Sequence, residues 1–273
     1  TTSVAVADAQ GNILLDRRSP LCVPEQARGL RQSEMVFQHI KNLSELFPQG
    51  YTQIKAVAAS TAPRPAEGSY MPVFRVAESF GKAAAYSAGA AFYALSHQHA
   101  HIGAAMLGAN QLFDGNFLAL HVSGGTTDVL QVKAKENLIQ SIQMLGKSSD
   151  ITAGQLIDRI GVTLGHAFPA GAAVSALAAG GEAAHLNFTI QGLNASFSGV
   201  ETEVRRRLQQ GMRPEDAAAT ILLCVAKVLN RLIIRARQQT GIERVLLFGG
   251  VMRSEWIRDY LQKKQRGLIF SGI

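Results

Sequence analysis

Three histidines, His97, His99 and His101, fall within five residues of one another. If the stretch after Leu95 is helical, His97 and His101 stand at i and i+4 on one face, where two imidazoles can share one divalent ion. His99 then points elsewhere. Ile102, Ala105 and Met106 continue at helical spacing and support that helix, although paired histidines also occur on ordinary helix surfaces. Further along, the run His121-Val122-Ser123-Gly124-Gly125-Thr126-Thr127-Asp128 closes a strand on a glycine turn. Glycines there let backbone amides approach an anion, and the Ser123, Thr126 and Thr127 hydroxyls add donors. A hairpin turn would want the same glycines for conformational reasons alone. A second pair, Gly249-Gly250, ends the apolar run Arg244–Phe248 just before a helix, whose first amides can receive a phosphate.

Such groups need strands and helices to hold them. Thr2–Ala7 alternates, Gln10-Gly11-Asn12 is a tight turn and Ile13–Asp16 continues the pattern, which predicts an opening β-hairpin. Helical spacing predicts helices over Arg28–Phe47 and Phe74–Gly89, with strands at Ile54–Ala59 and Ala91–Leu95. Between them Ser60–Ser69, with Pro63, Pro65 and Gly68, reads as a ligand-contacting loop at a strand's carboxyl end, with Glu67 and later Asp128 as candidate orienting carboxylates. The pattern then restarts. A hairpin of Phe117–Val122 and Thr127–Lys133 precedes helices at Thr152–Ile160, Val174–Ala179, Val200–Gln210 and Pro214–Gln239, a strand at Arg244–Phe248 and a helix at Ser254–Lys264. This divides the chain into an N-terminal α/β lobe, 1–115, carrying the histidine pair, and a C-terminal α/β lobe, 116–273, carrying the glycine turns.

A chain of 273 residues, 47% hydrophobic, is long enough for two modest cores. No apolar run reaches the roughly 18–20 residues that cross a bilayer, so no membrane role is expected and a cytoplasmic location is. The net charge of +7 favours anionic partners, and basic residues gather at Arg205-Arg206-Arg207, at Arg231, Arg235 and Arg237, and at Lys263-Lys264-Gln265-Arg266. These runs lack interleaved aromatics, so any RNA contact would be to backbone phosphate. Cys22 and Cys224 read as buried or inert thiols.

The histidine pair, Val122-Ser123-Gly124-Gly125, the segment Asp150–Asp158, Ala195-Ser196-Phe197-Ser198-Gly199 and Phe248-Gly249-Gly250-Val251 occur in the order seen in the TsaD/Gcp family, which the chain resembles over nearly its whole length. The resemblance implies an α/β, two-lobed fold of the actin/hexokinase/heat-shock ATPase (ribonuclease H-like) kind. It also implies an acyltransferase that moves threonylcarbamoyl from threonylcarbamoyl-AMP to the adenosine next to the tRNA anticodon. Carried over by position, His97 and His101 resemble the family's metal ligands, and His121 falls where some relatives place a tyrosine beside the metal. The ion would be iron or zinc. Ser123, Gly124, Gly125, Thr126 and Thr127 would face the phosphates of ATP or of threonylcarbamoyl-AMP. Asp158 would hold the ribose hydroxyls, and Gly171, Gly250 and Ser254 would complete the nucleotide contacts, Ser254 standing where the family usually has asparagine.

Implied partners are tRNA, a second copy or a smaller paralogue, and an ATPase. The family's opening strand, its glycine-proline-glycine loop and its Asp-Asn-Ala segment find no match in residues 1–273, which leaves a trimmed sequence or a divergent paralogue as readings. A non-catalytic, nucleotide-binding paralogue that scaffolds a tRNA-modifying complex is the alternative. A zinc peptidase is disfavoured because Gln98 stands where a His-Glu-x-x-His motif needs glutamate. A sugar or acetate kinase of the same superfold would leave the histidines unexplained.

Overall fold

The computed structural model describes residues 1–22, 30–47, 50 and 53–271, which form two compact units, Thr1–His101 and Ile102–Ile273. The division expected after residue 115 falls at the first strand of the second unit. In the first unit β1 (Thr2–Ala7) and β2 (Ile13–Ser19) pair antiparallel, as the turn residues predict. Helix α1 (Gln32–Leu46) follows; the expected start at Arg28 lies outside the described residues. Strand β3 (Ala56–Ala62) runs into the expected loop before ending, and it pairs parallel with β4 (Ala91–Ser96). Between them α2 (Pro72–Ala88) starts on a proline at its first turn and stops at Gly89, whose φ of 62° suits glycine. Helix α3 (His97–Gly108) carries the histidines at its start.

The second unit is built on a five-stranded sheet of order β11-β10-β5-β6-β7. It comprises β5 (Gly115–Val122), β6 (Thr127–Lys135), β7 (Leu138–Lys147), β10 (Val245–Phe248) and β11 (Leu268–Phe270). Strands β5, β6 and β7 form an antiparallel meander, whereas β10 joins β5 in parallel, the arrangement that lets helices cover a face. Period-two alternation sorts β5. Leu118, Leu120 and Val122 enter the larger core with α4 (Ala153–Thr163), α5 (Gly171–Ala178), α6 (Ser198–Gln209) and α7 (Pro214–Thr240). Phe117 and Ala119 face the other way, into a smaller core with Ile102, Ala105 and Met106 of α3. Each fully buried leucine contributes roughly 2 kcal/mol relative to an exposed one, so this sheet is the rigid platform of the unit. A short hairpin, β8 (Thr189–Gln191) with β9 (Asn194–Ser196), and α8 (Glu255–Lys264) complete the described elements.

Helix α7 corrects one expectation, since it is long and apolar enough to span a bilayer despite the interspersed Lys227 and Arg231. Its apolar window is 72% buried among the other helices, which makes it the central core helix. Cys224 lies in it, buried, and burial pushes its thiol up to about 12; Cys22, by contrast, is exposed.

Candidate functional site

The sequence around the histidines folds as its spacing requires. The buried Ser96 closes the start of α3, its hydroxyl accepting the His99 backbone N–H at 3.1 Å and lying 2.8 Å from His99 Nδ1. His99 is thereby engaged apart from the pair. His97 and His101 meet one turn apart, with Nε2 atoms separated by 2.9 Å and rings inclined at 74°. Phe74 of α2 lies against His97 at 5.7 Å, and the Gln98 N–H donates to the Pro63 carbonyl, tying the loop to the helix start. Partial burial holds both imidazoles below the usual histidine range, the His97 charge adding to the effect at His101. Neutral imidazole is the ligand form.

The two Nε2 atoms stand at hydrogen-bond distance from one another. Two nitrogens on a tetrahedral ion at about 2.0–2.1 Å would stand about 3.3 Å apart, so the pair would have to open by a few tenths of an ångström to share one. Imidazole nitrogen suits iron and zinc alike. Among the described residues no group of three or more His, Cys, Asp or Glu forms a metal cluster. His121 sits in the second unit at the end of β5, buried to 7% exposure and stacked on Phe248 with ring centroids 4.7 Å apart.

The glycine turn between β5 and β6 closes through the Ser123 N–H donating to the Thr126 carbonyl at 2.8 Å. Helix α4 begins directly against it. Thr152 is the N-cap of α4 and forms a capping box with Gln155, while its hydroxyl also donates to the Gly124 carbonyl at 2.9 Å. The Ala153 N–H donates to the Thr127 hydroxyl at 3.0 Å, so Thr127, buried at 2% exposure, holds the helix start. Gly124 and Gly125 stay exposed.

Asp158, one turn into α4, accepts the Ala170 N–H on Oδ1 at 2.8 Å, and its Oδ2 lies 3.8 Å from where a β-carbon on Gly124 would stand. Ala170 leads into Gly171, the first residue of α5. From α5 the Ser175 hydroxyl donates to Ser254 Oγ at 3.3 Å. Gly249, at φ 102°, packs where a β-carbon would collide with the Val122 carbonyl, and Gly250 opens a 3-10 turn, Gly250–Arg253. The fold therefore links the first glycine turn to Asp158 and Gly171, brings Ser254 to α5, and seats the second glycine pair on the end of β5.

The remaining candidates fall as follows. Asp128, a candidate orienting carboxylate, is buried to 3% exposure on β6, in register with His121 and Lys147. Glu67 is exposed on its loop. Of the basic runs, Arg205, Arg206 and Arg207 pair with Glu201 and Glu203 along α6. Arg235 donates to the Ile190 and Gly192 carbonyls, and Arg237 to Gln265 and to the Glu243 carbonyl. Arg231, Lys263 and Lys264 stay exposed. These arginines serve the fold first.

Sequence reasoning assigned no role to Asp150. Its carboxylate accepts the Ser196 and Ser198 hydroxyls, both at 2.5 Å, and the Phe197 and Ser198 N–H groups at 2.9 and 3.2 Å. What burial it has would raise its pKa, but these four hydrogen bonds outweigh it and hold the carboxyl at about 2. The folded value lies below the ordinary 3.8, so this contribution to stability is complete above about pH 4 and vanishes as pH falls toward about 2. Urea unfolding midpoints of wild type and Asp150→Asn should differ above about pH 4, with the wild type more stable, and converge below it. Curves that stay parallel through that range would remove the carboxylate from the account.

Comparison with known proteins matches the chain to a family. The family described as TsaD, tRNA N6-adenosine threonylcarbamoyltransferase, matches residues 23–271. Proteins of that name are similar to this chain in Methanopyrus kandleri (28% identical over 271 residues, 95% of this chain and 75% of the relative). Another is from a Cyanothece species (30% over 247 residues, 82% and 69%), and a third is from Corynebacterium aurimucosum (33% over 236 residues, 79% and 63%). Among solved structures, full-length HypF in its phosphate- and nucleotide-bound form superposes with a TM-score of 0.59 at 13% identity. That superposition covers 86% of this chain and 46% of the HypF chain, a likeness of fold. With the match spanning most of its length, the chain belongs to the TsaD family.

Proposed function

We propose that this chain transfers the threonylcarbamoyl group of threonylcarbamoyl-AMP to the N6 amine of the adenosine next to the tRNA anticodon. The observation that carries the reading is the cradle. An exposed Gly124-Gly125 turn is locked to the start of α4, Asp158 is held beside it, and Ser254 is held by α5. In the reaction the amine nitrogen bonds to the carbamoyl carbon, the carbon–oxygen bond to phosphate breaks, the amine loses a proton and AMP leaves. The exposed Gly124 and Gly125 amides, with the Ser123 and Thr126 hydroxyls, hold the departing phosphate and spread its charge over fixed dipoles, while the Ser123 N–H closes the turn and Thr127 secures the start of α4 behind it. Asp158 Oδ2 accepts a ribose hydroxyl, Gly171 and Gly250 leave room for the nucleotide, and Ser254 offers a hydroxyl. His97 and His101 would hold an iron or zinc ion, which when bound supplies Lewis acidity toward a carbonyl oxygen.

The relatives' names describe transferases, which does not favour a scaffold without turnover. Substrate tRNA implies a cytoplasmic location. Pairing with a second copy or a smaller paralogue, and with an ATPase, draws support from the exposed Phe37, Ile40 and Phe47, spaced along one face of α1 and its end. The test incubates the metal-loaded chain with threonylcarbamoyl-AMP and unmodified tRNA, then digests the tRNA to nucleosides for mass spectrometry. Threonylcarbamoyladenosine with equimolar AMP is expected. Bound threonylcarbamoyl-AMP that leaves the tRNA unmodified, alone and with a smaller paralogue and ATPase added, would refute the transferase reading.

A further inference from the structure

Between the end of β7 and the start of α4, residues 147–153 run as a strap with two bonded sides. Toward the glycine turn, the Ser148 N–H donates to the Thr127 carbonyl at 2.8 Å, the Thr152 hydroxyl to the Gly124 carbonyl and the Ala153 N–H to the Thr127 hydroxyl. Toward β9 and α6, the Lys147 N–H donates to Asn194 Oδ1 at 3.0 Å and the Ser149 N–H to the Ala195 carbonyl at 2.8 Å. Ser149 Oγ also donates to that carbonyl. Asp150 anchors this outer side at the Ser196-Phe197-Ser198 start of α6. Its carboxylate compensates the unpaired amides of a helix that has no side-chain cap from its own N-cap residue, Phe197.

We infer that Asp150 is a positioning residue for nucleotide binding, fixing the strap from behind so that the Gly124-Gly125 turn presents its amides in one conformation. The inference rests on the nucleotide reading of that turn. Thr152 carries the connection, since it lies two residues from the anchor and bonds the Gly124 carbonyl directly. The turn's own closure, Ser123 N–H to the Thr126 carbonyl, leaves the exposed and conformationally permissive Gly124 and Gly125 to be oriented by the α4 start that the strap sets in place.

The experiment measures ATP affinity by calorimetry and amide exchange over residues 123–127 in the full chain. Asp150→Asn should weaken ATP about tenfold, as expected for loss of charged hydrogen bonds acting through one segment, and should accelerate exchange at Gly124, Gly125 and Thr126. The double variant Asp150→Asn/Thr152→Ala should bind no more weakly than the worse single, whereas Asp150→Asn with Ser254→Ala should multiply. In the transfer assay, KM for the nucleotide should rise about tenfold while kcat stays within about twofold. If Asp150→Asn does not fold, Ser196→Ala/Ser198→Ala removes two of the four bonds and should give a smaller loss in the same direction. Wild-type affinity and unchanged exchange in these variants would overturn the inference while leaving the nucleotide reading intact. A wild-type chain that binds no nucleotide would overturn both.

Discussion

Replacing both His97 and His101 by alanine should empty the chain of bound iron or zinc and reduce threonylcarbamoyl transfer at least about a hundredfold, while ATP affinity stays near wild type. The rate figure corresponds to about 3 kcal/mol of transition-state stabilisation, a modest demand on a Lewis acid at a carbonyl. The split follows from placement. The histidines begin α3, whereas Ser123, Gly124, Asp158, Gly171 and Ser254 all belong to the Ile102–Ile273 unit. Stability should change little, because both side chains keep substantial contact with solvent despite their partial burial, and the adjoining Ser96 bonds go to His99, which remains. Single variants should each lose most of the metal, since one imidazole alone is a weak site. Elemental analysis, a transfer assay and calorimetry on the same preparations separate the possibilities. Metal retained by the double variant would remove the pair from the site, and activity retained without metal would place the chemistry elsewhere.

The sequence made the histidine pair legible because i, i+4 spacing survives any tertiary context once a helix forms, and Ile102, Ala105 and Met106 made that helix readable. The glycine turns were legible for a different reason, since each follows an apolar strand and precedes residues that cannot extend it. Strand β7 was not. Its residues Leu138–Lys147 pair with β6 around two irregularities that leave Gln140 and Leu145 unmatched, so the apolar positions lose the period of two that marks a strand. Hairpin β8–β9 and strand β11 have only three residues per strand, too few for any period to show. Asp150 was quoted only as the edge of a motif, because its partners lie more than forty residues away and no local pattern announces them. The arginine runs were legible as charge but not as contacts. Charge density is visible in a sequence, but the Glu201 and Glu203 that neutralise it sit among the same residues and compete for it.

Gly154→Ala should lower both stability and nucleotide affinity, and the two opposing effects at this position decide the sign. Alanine improves helix propensity by at most about 1 kcal/mol, and less in the first turn, where Gly154 lies. Against this, a β-carbon there would stand 2.5 Å from the Ser123 carbonyl oxygen and 2.6 Å from Gly124 Cα and N, backbone atoms that cannot rotate aside. Overpacking of this kind costs about 1–3 kcal/mol, and relief requires α4 to retreat from the turn, which would stretch the Thr152 to Gly124 bond. A net loss of about 1–2 kcal/mol in urea unfolding, with ATP bound at least about tenfold more weakly, is therefore expected. Gly171→Ala supplies the contrast. A β-carbon there meets nothing within 4 Å, at the first position of α5, so folding should be unaffected or slightly favoured. A bound nucleotide that approaches Gly171 would nonetheless meet the added methyl, and affinity should fall with stability unchanged. Equal affinity in the two variants and the wild type would mean that no nucleotide lies against either glycine, and the cradle would have to be reassigned as a structural turn.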